Sequence, residues 1–265
     1  GRGRSPLGRA PGGLRPIRLS GAYSWRDSSA RQRHLNDRVL YLPRGKVLGG
    51  GSSINGMVYD RGSARDFDRW SELGNEGWSY VEVLPYFRRA ETYEPGANDL
   101  HGDNGPIRVS RPLVKHALAR AFVQAGVQAG YPYNDDTNGA SREGFGPVDV
   151  TVSRGRRSST SSACLRPVMN RPNLSVITGA HVTRILFEGQ RAVGISYRKR
   201  GKEHMVRAER EVILSAGAIN SPQILMLSGV GPADHLRANG IEPLLDLPGV
   251  GGNLQDHLAI TVKHR

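Results

Sequence analysis

Cysteine is almost missing: Cys164 stands alone in a chain of 265 residues. A single thiol excludes an internal disulfide framework and cannot close a structural zinc site unaided. Within SSTSSACLRP it reads as a small, half-buried residue. No apolar run approaches the ~20 residues that a membrane-spanning helix needs. Membrane association is therefore expected to be peripheral at most, or supplied by segments outside these residues. Paired-cysteine and HExxH spacings are absent too, so no metal site is expected. Acidic residues are the scarcer charge, with 24 Asp and Glu against 37 Lys and Arg and a formal net charge of +13. Such an excess can attract nucleic acid or an anionic membrane, but the arginines are scattered along the chain. Nucleic acid is not the expected partner.

The basic excess is densest at the start. Residues 1–22, opening GRGRSPLGRAPGGLRPIRLSG without a methionine, hold little but Gly, Arg, Pro and small side chains. That composition buries too little apolar surface to offset ordering entropy, so a disordered leader is expected. A targeting or nucleic-acid-binding arm is the alternative, but there is no apolar h-region, amphipathic period or aromatic interleaving. A gene-model or truncation artefact explains the leader better.

The remainder, in a chain of 37% apolar content, is long enough to build a core. Its patterning is mixed α/β (α+β). Ser79 is placed to cap a helix carrying Val83, Leu84 and Phe87, with Pro85 awkwardly inside it. Residues 113–129 read as a second helix ending at Gly130. LSVIT (174–178), VTRILFEG (182–189) and AVGISYRKR (192–200) alternate like strands, and HMVRAEREVILSAGA (204–218) follows a turn at Gly201-Lys202. These predict a β-meander feeding a buried strand over Val212, Ile213 and Leu214. A small-residue turn follows, Ser215-Ala216-Gly217-Ala218, and Ser221-Pro222 then starts a helix, with proline at the first position, where its missing N–H costs nothing.

The stretch PRGKVLGGGSSINGMVYDRG (43–62) joins a basic turn to three consecutive glycines and two serines. Glycine lets backbone approach a ligand closely, because it lacks Cβ and tolerates positive φ. Alone, such a run reads as a flexible surface loop. It is accompanied by GAINSPQILMLSGVG (217–231), and the two resemble, in order, the two signatures of the glucose-methanol-choline (GMC) oxidoreductases, FAD-dependent alcohol dehydrogenases and oxidases. GPIRVSRP, EGFGPVDVT, RPNLSVITGAHVTRILFEGQRAVGI and LPGVGGNLQDH extend the likeness from Tyr23 to the C-terminus. They are similar to the choline dehydrogenases and related bacterial alcohol dehydrogenases of that family.

The resemblance implies an incomplete FAD-binding Rossmann-like domain with part of a substrate domain built on an antiparallel sheet. By its pattern, 23–85 and 173–257 belong to the FAD domain, 86–172 to the substrate domain, and 258–265 begin the next substrate-domain segment. The backbone amides of Val47, Gly49, Gly50 and Ser52 are implied to wrap the flavin and its pyrophosphate. Asn55, Gly56, Met57 and Val58 are implied to lie along the isoalloxazine, where donors stabilise charge on the reduced ring. Val182 would meet adenine through its main chain, and Ala216 and Gly217 would line the same nucleotide. Some relatives tether the flavin through a histidine in the first signature; Ile54 and Asn55 offer no such nucleophile, so dissociable, non-covalent FAD is expected. Gly51 stands where a small polar residue is usual, and Ser158 where an aromatic is common, which would loosen local packing.

No strand-GxGxxG-helix unit precedes Pro43, and the family's catalytic histidine would lie beyond Arg265, so the chain is expected to be the middle of a longer enzyme, with no catalytic residue of its own. His257, beside Asp256, reads as part of a structural or nucleotide-supporting turn, since neighbours on an extended chain point to opposite faces. The implied reaction is oxidation of a primary alcohol, choline first, by hydride transfer to flavin N5 and onward to a quinone-like rather than oxygen acceptor. An inactive GMC-fold remnant, a dehydrogenase for another alcohol, and a basic nucleic-acid-binding protein are the competing readings. The expected location is cytoplasmic or membrane-peripheral in a bacterium and mitochondrial in a eukaryote.

Overall fold

The computed structural model describes residues 21–256. Most of the expected leader, His257 and residues 258–265 lie outside them. The chain divides into two compact units at 176/177.

In the first unit, β1 (Ser24–Ser28) and β2 (Tyr41–Gly45) form an antiparallel pair that runs directly into the glycine loop. Beyond the loop, α1 (Ala64–Glu72) and α2 (Tyr80–Ala90) make a helical hairpin. Each opens with a capping box, Ser63 with Asp66 and Ser79 with Glu82, which satisfies amide donors that a helix start leaves unpaired. The α2 cap is at the expected serine. Val83, Leu84 and Phe87 are half-buried while Pro85 faces solvent, where water can serve the carbonyl that proline cannot. Phe67 meets Trp70 and Phe87 edge-on, each at 5.5 Å between centroids, and so locks the hairpin.

Strand β3 (Glu91–Tyr93) continues from α2 and pairs in parallel with β4 (Ile107–Val109). Helix α3 covers Ala117–Gln128, starting four residues later than the pattern suggested; the His116 side chain caps it by accepting from Leu118 N–H at 3.2 Å. It stops at Gly130, whose φ of +91° ends the helix as expected. Two short strands, β5 (Val152–Ser153) and β6 (Arg156–Arg157), form a tight antiparallel pair, followed by a turn of helix over Ser161–Leu165. Cys164 lies on that turn and is exposed, not half-buried.

The centre of this unit is polar. Arg61 and Glu91 form an ion pair at 2.5 Å, with side chains only 1% and 0% exposed. The same Glu91 oxygen accepts from His101 Nδ1 at 2.9 Å and from Gly102 N–H at 3.1 Å. His101 Nε2 reaches Asp136 at 3.1 Å, while the imidazole stacks on Tyr93 at 3.8 Å. Arg61 also donates to the Leu100 carbonyl at 2.7 Å, and its main-chain N–H is held by Asn138. Tyr93 O–H donates in turn to buried Asp149 at 3.0 Å. Buried charges are tolerable only when paired and hydrogen-bonded like this.

The second unit holds the expected meander: β7 (His181–Glu188), β8 (Arg191–Lys199) and β9 (Lys202–Arg207), antiparallel in that order. Helix α4 (Gly217–Leu227) packs against β7 and is followed by β10 (Val230–Gly231), α5 (Ala233–Ala238) and β11 (Leu245–Asp246), the two strands pairing in parallel. A register shift in β7 between Val182 and Arg184 lets Ile185 N–H donate to Ser228 Oγ at 2.8 Å, pinning the end of α4 to the sheet.

Three expected details fail here. Residues 174–178 and 212–214 are not strands; Ile213 is 78% exposed. Apolar, β-branched composition makes a strand only when a neighbour completes the ladder, and neither segment has one among the described residues. Nor does Pro222 open its helix: α4 begins at Gly217, whose φ is +91°, and Pro222 sits inside it. The bond from Ala216 N–H to Ser221 Oγ, at 3.0 Å, closes the turn that starts it.

The two buried carboxylates respond oppositely to acid. Burial raises the Glu91 pKa, but bonding to His101 and the Arg61 charge outweigh it, so Glu91 titrates below its ordinary value. Its stabilisation is present above that ordinary value and is lost as pH falls through the lowered one. Asp149 is held above its ordinary value, chiefly by burial, so its contribution is full at low pH and declines as pH rises. Glu91→Gln is therefore expected to flatten the acid side of a plot of Tm against pH. Asp149→Asn is expected to steepen it. Glu91→Ala, which strands a buried guanidinium, is expected to cost about 3–5 kcal/mol in urea unfolding.

Candidate functional site

The glycine loop leaves β2 and folds into a single 3-10 turn over Gly50–Ser53. Two glycines make this path possible. A Cβ on Gly45 would stand 2.2 Å from the Gly50 carbonyl oxygen, and one on Gly49, at φ +86°, would stand 2.5 Å from Ser53 Oγ. Gly50, Gly51 and Gly56 have open space on the side where a Cβ would project. Serine would therefore fit at Gly51, and its absence loosens nothing.

Of the four candidate amides, two point inward. Gly50 N–H donates to the Val47 carbonyl at 2.9 Å and Ser52 N–H to the Gly49 carbonyl at 3.1 Å. The amides of Val47 and Gly49 have no acceptor among the described residues. A phosphate-bearing ligand supplies what such donors lack.

What holds the loop in shape is a second segment, beyond β6. Arg157, only 6% exposed, donates from Nη1 to the carbonyls of Ser52 at 3.1 Å and Asn55 at 2.9 Å, and to Asn55 Oδ1 at 2.7 Å. Thr160 N–H donates to Ser52 Oγ at 3.0 Å, and Ser52 Oγ donates to the Gly49 carbonyl at 2.6 Å. The loop thus rests on residues a hundred positions away. RRSST is the part of the sequence that carried this signal, but its polar residues gave no hint of their partner. Ser158 does not loosen that segment: its hydroxyl accepts from Arg108 N–H at 3.0 Å.

From Asn55 the chain turns sharply. Asn55 Oδ1 accepts from Met57 N–H at 3.1 Å, and Met57 adopts φ +67° with its side chain buried. A non-glycine residue in that region marks a conformation enforced by its surroundings. The Met57 carbonyl is fixed by Thr151 N–H at 2.8 Å and the Tyr59 amide by Asp149 O at 2.8 Å. Val58, between them, is left 53% exposed. Burial, with the Glu91 carboxylate nearby, pushes the Tyr59 phenol up to about 12, so it stays protonated at neutral pH.

The structure therefore gathers Val47, Gly49, Gly50, Ser52, Asn55, Gly56, Met57 and Val58 into one continuous feature of the first unit. Val182, Ala216 and Gly217 belong to the second. There Val182 is half-buried on β7, opposite Tyr197, at the start of the bulge; Ala216 and Gly217 are exposed at the head of α4. No group of three metal-binding side chains occurs among the described residues. Nor is any helix among them long and apolar enough to cross a membrane.

A GMC oxidoreductase family model matches residues 13–259. The chain belongs to the GMC oxidoreductases. This family binds FAD. The chain is 54% identical over 241 residues to "Choline dehydrogenase, mitochondrial" of Mus musculus, covering 91% of this chain and 40% of that protein. It is 48% identical over 259 residues to "Oxygen-dependent choline dehydrogenase" of Brucella ovis, covering 97% and 47%. It spans less than half the length of these relatives. Among solved structures, pyridoxine 4-oxidase from Mesorbium loti superposes with a TM-score of 0.86 at 33% identity, over 92% of this chain and 48% of that one. Within this family member the glycine loop combines open glycine faces, unpaired amides and a rigid underside.

Two substitutions probe this arrangement. Gly49→Ala forces a methyl group against Ser53 and into an unfavourable φ; it is expected to lower stability by about 1–3 kcal/mol, read by thermal melting, and to abolish quenching of FAD fluorescence. Arg157→Gln, which removes the clamp on the Ser52 and Asn55 carbonyls, is expected to weaken FAD at least tenfold in the same titration.

Proposed function

We propose that this chain forms the flavin cradle and part of the substrate wall of an FAD-dependent alcohol dehydrogenase that oxidises choline to betaine aldehyde. The observation that carries this reading is the 54% identity to a choline dehydrogenase across 91% of the chain. When bound, FAD supplies the acceptor for the hydride leaving the carbinol carbon. The chain's own part is placement. Val47 and Gly49 offer amide donors to the ligand, Arg157 fixes the loop from below, and Asn55 and Met57 hold the backbone that runs toward the reactive edge. Val182, Ala216 and Gly217 are proposed to meet the adenosine end through main-chain groups.

The base that removes the alcohol proton is proposed to come from a histidine outside this sequence. His101 is unsuited to that role, being fully buried and engaged on both ring nitrogens by Glu91 and Asp136. The flavin is proposed to be non-covalent, since Ile54 and Asn55 carry no nucleophile. The electron acceptor is proposed to be quinone-like; the name of the Brucella relative favours oxygen as the second reading. The address is proposed to be mitochondrial in a eukaryotic host and cytoplasmic or membrane-peripheral in a bacterial one.

The test is turnover by the natural protein carrying this sequence, purified with FAD. Choline is expected to bleach the flavin and reduce a soluble ubiquinone analogue, and acid precipitation is expected to release the flavin into the supernatant. Bleaching by pyridoxine but not choline would overturn the choline assignment while keeping the family chemistry. Oxygen uptake without quinone reduction would overturn the acceptor.

A further inference from the structure

Arginine is concentrated in one cavity of the first unit, beside the glycine loop. A space of about 510 Å³ is lined by Arg108, Arg156, Arg157 and Arg166, with Ser158 and Ser162 between them and no acidic side chain in its wall. They arrive from separate elements, Arg108 from β4, Arg156 and Arg157 from β6, and Arg166 from the turn after Leu165. Some arginines outside the cavity are paired with carboxylates, as Arg111 is with Asp135, Arg142 with Asp60 and Arg237 with Asp234. The guanidinium groups of Arg108 and Arg156 have no such partner among the described residues. Ser158 Oγ accepts from Arg108 N–H at 3.0 Å, which leaves its own proton to donate.

Like charges lining one small space repel, and a separation below the Debye length of about 8–10 Å leaves them poorly screened. A bound polyanion removes that repulsion, and guanidinium forks match the paired oxygens of phosphoryl and carboxylate groups. We propose that this cavity, which shares Arg157 with the underside of the glycine loop, is a binding site for a small polyvalent oxyanion, a phosphorylated metabolite or a polycarboxylate. The two sources share their chemistry and differ in oxygen geometry.

Isothermal titration of the natural protein carrying this sequence, in low-salt, phosphate-free buffer, tests it, with inorganic pyrophosphate and citrate as probes. Saturable binding of one probe per chain is expected, with the preferred probe assigning the phosphoryl or the carboxylate source. The doubly substituted chain Arg108→Gln/Arg156→Gln is expected to bind at least tenfold more weakly. Arg108→Lys/Arg156→Lys, which keeps charge but loses the forks, is expected to fall between. Arg65→Gln, exposed on α1 and removing half the charge that the double substitution removes, is expected to change affinity less than twofold and controls for loss of positive charge away from the cavity. Circular dichroism and Tm establish that each variant is folded. The proposal is overturned if neither probe saturates, or if Arg65→Gln weakens binding as much as the double substitution. It also fails if FAD displaces the probe, which would assign the arginines to the flavin, or if duplex DNA outcompetes both probes.

Discussion

A buried guanidinium under a glycine loop is the constraint on which the site depends. Glycines give the segment from Gly45 to Gly56 its close path and its openness, but they also give it freedom, and freedom costs affinity when a ligand has to order the loop. Arg157 removes that cost by grasping carbonyls on both sides of the 3-10 turn. Donating to neutral oxygens from a buried charge also leaves a positive field beneath the loop. An anionic ligand bound above the loop would benefit from both effects, rigidity and field, from one side chain.

The Arg61–Glu91–His101 network plays the corresponding part at the other end of the signature. The loop leaves the site through Tyr59 and Arg61, and Arg61 is tied simultaneously to Glu91, Leu100 and Asn138. Because these partners come from β3, the segment after it and the 136–138 turn, the path of the signature is set by tertiary structure rather than by local preference. A polar centre of this kind trades some stability for a single arrangement, since every member has few alternatives that leave no charge stranded.

How much of this could be read in the sequence follows the range of the interactions. The Ser79 cap, the end of α3 at Gly130 and the β7–β8–β9 meander are local in sequence and were legible as such. The glycine loop was legible through its family likeness. Arg157 beneath it was not, because its partners Ser52 and Asn55 lie a hundred residues earlier and nothing in RRSST names them. The same holds for Glu91, which reads as the end of a helix until Arg61 and His101 are seen on it. The errors at 174–178 and 212–214 have the converse cause: composition there is strand-like, but pairing is a property of neighbours that composition does not contain.

The outer strand of the meander carries a further implication. Every residue of β9 is exposed, and Lys202, Glu203, His204 and Arg207 crowd its length. An open strand edge invites other chains to add to it, and charge is the common defence. Arg207 is moreover engaged with Glu188 on β7, which keeps that charge at the rim of the sheet. Concentrated preparations of this protein should accordingly resist sheet-to-sheet association, and neutralising β9 would be the shortest route to a chain that forms fibrils.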